Sequence, residues 1–273
     1  MKKKTSFGAK LYMFIVFLFL YAPIVVMMFF SFNESSSTYT FTGFSTKWWV
    51  EMFNDSAAME ALTNTLILAV ASALVATVLG TLAALGIYNG KNKLYKNALM
   101  TVTNIPMMNP EIVTGISMML LFVFAGTLVG VSDTLGFGTL LIAHVTFCLP
   151  YVILNVLPKL KQFDYSVYEA AVDLGCKPAK AFFKVVMPNI MSGIVTGLVM
   201  SFTLSLDDFI ISYFTNGPSF QTLPVYIFSM TKKRVKPDMF ALSTLIFVVI
   251  LVLLIVMNVI QSKSDKKGKS GAK

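Results

Sequence analysis

The sequence predicts an all-α integral membrane protein with six transmembrane helices. Three observations carry this. Of 273 residues, 56% are hydrophobic and only 13% charged, where soluble domains carry about 25% charge. Six apolar stretches approach or exceed the roughly 20 helical residues that cross a hydrocarbon core of about 30 Å. Lysines gather between and outside these stretches, at Lys2–Lys4, Lys91–Lys96, Lys159–Lys184 and Lys263–Lys273, as cytoplasmic flanks do. No alternating barrel pattern is present, and a helix satisfies its own backbone in lipid. The net charge of +9 therefore reads as orientation, not as a nucleic-acid surface.

The elements follow in order. Residues 1–10 form a basic cytoplasmic N-terminus, and 11–260 a six-helix transmembrane domain. Leu11–Phe32 runs 22 residues without a charge. It is too long for a signal-peptide core, lacks a small-residue cleavage site, and reads as an uncleaved first helix. Leu62–Tyr88 is the second span. Ala98–Ala125 is the third, broken by Pro106 and Pro110 and containing Glu111. Leu140–Leu157 is the fourth. Ile190–Phe214 is the fifth, with Asp207 and Asp208 near its end. Phe240–Ile260 is the sixth, and 261–273 reads as a disordered basic cytoplasmic tail.

Six spans place both termini and the basic 89–97 and 158–189 loops on the cytoplasmic side. The 33–61 loop is net acidic, with Glu34, Glu51, Asp55 and Glu60 against Lys47. One segment disagrees: "MTKKRVKPD" (Met230–Asp238) puts a basic cluster at 232–236 in a predicted external loop. The apolar "LPVYIFSM" before it is too short to cross, and reads as a dip into the protein or an outer helix.

Some chemistry is absent. "YNGKNK" (Tyr88–Lys93) lacks the spacing and the Ser/Thr of a Walker phosphate loop. The only histidine, His144, stands four residues before Cys148, so the two can share a helix face. Two ligands leave a metal site incomplete, and one histidine builds no hydrolytic triad. Cys148 and Cys176 read as unpaired. The chain is expected to be no enzyme and to hold no metal or cofactor. If ATP drives it, another chain supplies the site.

The segment 159–188 is the one long polar stretch between spans. Ser166 fits a helix N-cap, with Glu169 three residues later as a capping box. Gly175 suits a helix C-terminus, and Pro178 suits the first turn of the next helix. Pattern alone fits an ordinary connector equally well. The anchors Glu169-Ala170-Ala171, Gly175, Val185 and Met187-Pro188 do more: the segment resembles the EAA loop of ABC importer permeases, with Val185 and Met187 where that family carries Ile and Leu. The resemblance implies a type I (MetI-like) permease fold whose loop forms a coupling helix. Glu169, Ala170, Ala171, Gly175 and Pro178 would dock it on a separate ATPase subunit, which binds ATP and Mg.

"NPEIVTGISMMLLF" (Asn109–Phe122) and "SLDDFIISYFTNGPSFQTLPVYIFSM" (Ser205–Met230) are similar to the spermidine/putrescine importer permeases, a likeness covering most of the chain. Branches for iron, thiamine and phosphonate share parts of the pattern. The implied partners are a second, related permease in a heterodimer, two ATPase subunits and an external polyamine-binding protein. A stand-alone secondary transporter or channel is the reading from another class. Such folds often show inverted repeats, and none is evident.

Ionisable residues inside a span usually face a cavity. Glu111, Asp207 and Asp208 are therefore candidates for the path of a polycation, with Tyr213, Phe214 and Tyr226 as aromatic faces. The two aspartates differ by about 100° around a helix. One is expected on the path and the other paired with a neighbouring helix or subunit. The alternatives are structural: aspartates bonded at the external interface, and Glu111 satisfying backbone freed by the prolines.

Overall fold

The computed structural model describes residues 7–37, 40–131, 133–232 and 237–270. Six of its helices are long and apolar enough to cross a membrane. They are α1 (Phe7–Phe30), α3 (Ser56–Asn89), α5 (Glu111–Val129), α6 (Phe137–Gln162), the continuous helix Pro178–Asp207, and Pro237–Val256. The last is the apolar part of α12 (Pro237–Ser270). Shorter helices lie between them: α2 (Lys47–Asn54), α4 (Lys93–Met108), α7 (Tyr165–Asp173), α10 (Ile210–Thr215) and α11 (Leu223–Thr231).

Three expectations change. The third span does not run Ala98–Ala125. The chain breaks at Asn109–Pro110, so α4 is separate and the crossing helix starts at Glu111. Pro106 sits within α4; Pro110 is extended, and it disfavours helix at the residue before it. The fifth span stops at Asp207 instead of Phe214, because Asp208 leaves the helix and α10 begins anew. Helical backbone also continues through 261–270, read from sequence as a disordered tail. These residues extend a helix that is already nucleated, so each costs little to add. The apolar "LPVYIFSM" is the helix α11.

The chain divides into two compact units, Met1–Met59 with Ile227–Leu251, and Glu60–Tyr226 with Val252–Lys273. The first contains a small knot on buried Asn33. Its Nδ2 donates to the carbonyls of Ser37 (3.0 Å) and Thr40 (2.8 Å), and its Oδ1 accepts from Thr42 N–H (2.9 Å). Trp48 Nε1 donates to its carbonyl at 2.7 Å. One amide thus saturates a loop that has little secondary structure of its own.

The second unit is organised by one helix pair. Within Pro178–Asp207, the stretch Met187–Asp207 is α9, preceded by α8 (Pro178–Ala181) and one wide turn, Phe182–Val186. The face of α9 toward α6 is a stripe of small buried residues four apart: Gly193, Gly197, Ser201 and Ser205. The facing row on α6 is His144, Cys148, Val152 and Val156, also four apart and buried. The rows meet antiparallel and in register. His144 bonds Ser205, Cys148 Sγ donates to the Ser201 carbonyl at 3.4 Å, Val152 lies on Gly197, and Val156 on Gly193. Small residues let helix backbones approach closely, which is how helices associate where lipid offers no hydrophobic drive. Gly80 of α3 accepts Val152 from its other side.

This packing makes a prediction. A Cβ at Gly193 would stand 2.7 Å from the Asn155 carbonyl oxygen and 2.8 Å from Lys159 Cγ. Gly193→Val should therefore destabilise the protein by about 1–3 kcal/mol. Gly138→Val is the control, since no atom lies within 4 Å of a Cβ there. Thermal unfolding in detergent distinguishes them, and equal midpoints would contradict the register.

Candidate functional site

The site forms where two helices break. Asp208 has φ −64° and ψ 125°, outside helical geometry. Its buried carboxyl accepts from Ile211 N–H at 3.3 Å (Oδ1) and Ser212 N–H at 2.8 Å (Oδ2). A short acidic side chain competes here with the backbone for helix donors, which ends α9 and opens α10. Asp207, the last residue of α9, is exposed, so the two aspartates diverge as their spacing requires.

Glu111 opens α5 at the other break and is also exposed. It interacts electrostatically with Asp207 and with Tyr151 of α6. α10 lies against α5 at Gly115, where a Cβ would meet Phe214 Cδ2 at 3.0 Å. The structure thus brings Glu111, Asp207 and Asp208 into one acidic cluster. The cluster is not at a helix-bundle end: Asp208 Oδ2 stands 3.5 Å from His144 Nε2, seven residues into α6 and about 10 Å from its start. Tyr213 is half-exposed on α10 and its ring lies tilted against that of Phe209, with centroids 5.6 Å apart. Tyr226 is buried on α11, apart from these breaks in the chain.

Asp208 also belongs to a buried polar network centred on His144. His144 Nδ1 is 2.7 Å from Ser205 Oγ, and Nε2 is 3.0 Å from Ser212 Oγ. Ser72 of α3 donates to Ser205 Oγ at 2.8 Å. The shared face of His144 and Cys148 is observed, but the two engage different partners on α9. The signal that finds this network in sequence is the four-residue spacing of small residues, which puts Ser205 opposite His144.

On the segment between the fourth and fifth spans, α7 is capped by Asp164, not Ser166. Asp164 is extended (φ −77°, ψ 107°) and its carboxylate accepts from Ser166 N–H at 3.0 Å. Ser166 is already inside the helix, so Glu169 lies mid-helix and exposed instead of completing a capping box. The bonds to Ser166 hold the Asp164 carboxyl below the ordinary carboxylate range. A lowered folded-state pKa means the cap is intact above that range and is lost only as pH falls through the lowered value. Asp164→Ala should fray α7 at neutral pH, seen as faster amide exchange over 165–168; unchanged exchange would contradict the capping assignment.

The other end of α7 matches expectation. Gly175 has φ +84°. Its N–H donates to the Val172 carbonyl at 2.9 Å, and Cys176 N–H donates to that of Ala171 at 3.1 Å. That pair of bonds is the Schellman closure, which needs a left-handed residue where Gly175 stands. Pro178 then occupies the first turn of α8. Glu169, Ala170, Gly175 and Pro178 are exposed, Ala171 is half-buried, and Leu174 is 89% exposed. The wide turn follows, with Met187 N–H donating to the Phe182 carbonyl. Pro188 has no N–H to continue the ordinary ladder, and a wide turn adjusts for it. Of the basic 232–236 cluster, Lys232 lies over the Phe228 ring at 4.7 Å; 233–236 fall outside the described residues.

The family described as "Binding-protein-dependent transport system inner membrane component" matches residues 76–269. The chain is 38% identical over 258 residues to the spermidine/putrescine transport system permease protein PotC of Escherichia coli K12, covering 94% of each chain. It is 39% identical over 230 residues to that organism's putrescine transport system permease protein PotI, covering 84% of this chain and 82% of the relative. Among solved structures, a bacterial ABC transporter involved in the import of alginate superposes with a TM-score of 0.75 at 19% identity, covering 94% of each chain. The family match and the relative at 38% identity place the chain in the family of binding-protein-dependent transport system inner membrane components, and with the six apolar helices give it the fold of a type I ABC importer permease.

Proposed function

We propose that this chain is a transmembrane subunit of an ATP-driven polyamine importer. The observation that carries the substrate class is the acidic cluster at the two helix breaks. Glu111 and Asp207 are exposed carboxylates near enough to repel each other, and half-exposed Tyr213 lies on the helix beginning three residues after Asp207. A flexible polycation needs spaced anions and aromatic faces, and binds them weakly enough to leave. Asp208 serves the frame, since its oxygens are used by α10.

The same helix suits coupling. Pro178–Asp207 is continuous over 30 residues, about 45 Å. Its start carries the exposed α7–α8 turn and its end carries Asp207. Ala170 and Ala171 allow close seating on an ATPase subunit, Glu169 offers it a charge, and Gly175 fixes the turn. ATP and Mg belong to two such subunits. Their closure would push the loop, and the rod would carry the movement to the break. An external binding protein delivers solute, and a related permease completes the pathway. The basic flanks favour both termini on the cytoplasmic side.

Uptake of labelled spermidine by the reconstituted complex, challenged with unlabelled putrescine, iron, thiamine or a phosphonate, tests the substrate. Competition by putrescine alone is expected. Competition by one of the others would move the chain to that branch.

A further inference from the structure

We propose that His144 is a positioning residue for solute passage: it holds the break between α9 and α10 in the form that presents Asp207. The inference rests on the reading of Asp207 as a solute-contacting group. Its two ring nitrogens join opposite sides of the break. Nδ1 meets Ser205, two residues before Asp207, at 2.7 Å, and Nε2 meets Ser212, in the first turn of α10, at 3.0 Å. Both serines are fully buried or nearly so, as is His144.

One proton arrangement sets a donor against an acceptor at every link. Ser72 O–H donates to Ser205 Oγ, and Ser205 O–H donates to His144 Nδ1. His144 Nε2–H donates to Ser212 Oγ, and Ser212 N–H donates to the Asp208 carboxyl. Every donor in the chain points toward that carboxyl, so the links reinforce one another. Asp208 in turn holds α10 through two backbone N–H groups. An apolar residue at 144 could fill the space, but it would join neither side of the break. Asp207 stands between the two anchored serines with its own side chain exposed. Its aim is therefore fixed by residues that never meet the solute.

The test measures labelled spermidine uptake, as KM and maximal rate, in proteoliposomes holding the full complex with binding protein and ATPase. His144→Leu should lower uptake about tenfold, since a displacement on the order of 1 Å can cost up to about a hundredfold. His144→Gln, which keeps a donor and an acceptor, should recover part of it. His144→Leu combined with Asp207→Asn should be no worse than Asp207→Asn alone. Effects that multiply within about twofold would mean independent roles and overturn the proposal. Unchanged uptake in His144→Leu beside impaired Asp207→Asn removes the proposal alone. Unchanged uptake in Asp207→Asn removes the path reading and the proposal with it. If His144→Leu fails to assemble, Ser212→Ala cuts the same link and carries the same prediction; unchanged uptake there overturns it.

Discussion

Asp207→Asn is expected to lower spermidine uptake at least about tenfold without lowering the thermal stability of the permease. An ammonium about 4 Å from a carboxylate is attracted by about 4 kcal/mol at an effective dielectric of 20. Asp207 is exposed, so water screens much of this. Retaining about a third still gives a tenfold effect on rate. Asp208→Asn should differ by lowering stability as well, because it loosens the break that aims Asp207. Both Asp208 oxygens accept backbone N–H groups, and an amide presents only one oxygen. The lost partner is buried and should cost about 1–3 kcal/mol of stability. Uptake kinetics and unfolding midpoints on the same preparations separate the two aspartates. Equal profiles would contradict the division between path and frame.

Gly175→Pro is the second large effect. Proline holds φ near −65°, whereas Gly175 has φ +84°, and the change removes the N–H that bonds the Val172 carbonyl. The turn between α7 and α8 should open, and solute-stimulated ATPase activity should fall at least about tenfold, the loss of roughly 1.4 kcal/mol of coupling. The residue is exposed, with no atom within 4 Å of a Cβ, so membrane insertion should persist. Glu169→Lys should lower the same activity by reversing an exposed charge, without altering α7. Full stimulated activity in both variants would refute docking through this turn.

Much of this was legible from residue types. The spans followed from apolar length, and Gly175 and Pro178 from the two backbone rules that place them. What failed was local competition. Asp164 and Ser166 both suit a cap, and only the chain's direction after Phe163 selects Asp164. Which of Asp207 and Asp208 serves the frame stays open in the sequence until the Asp208 oxygens are seen to take the α10 donors. The role of His144 required knowing what faces it. A single histidine has no pattern of its own, whereas the serine opposite it belongs to a stripe that periodicity alone exposes.

The central claim is that this chain passes polyamines under power from a separate ATPase. The most direct measurement is labelled spermidine accumulation in proteoliposomes containing this chain, its partner permease and the ATPase, with binding protein outside and ATP inside. Accumulation above the external concentration is expected; it should need both ATP and this chain and collapse in Asp207→Asn and in Gly175→Pro. Spermidine levels that merely equilibrate, or accumulation that survives omission of this chain, would contradict it.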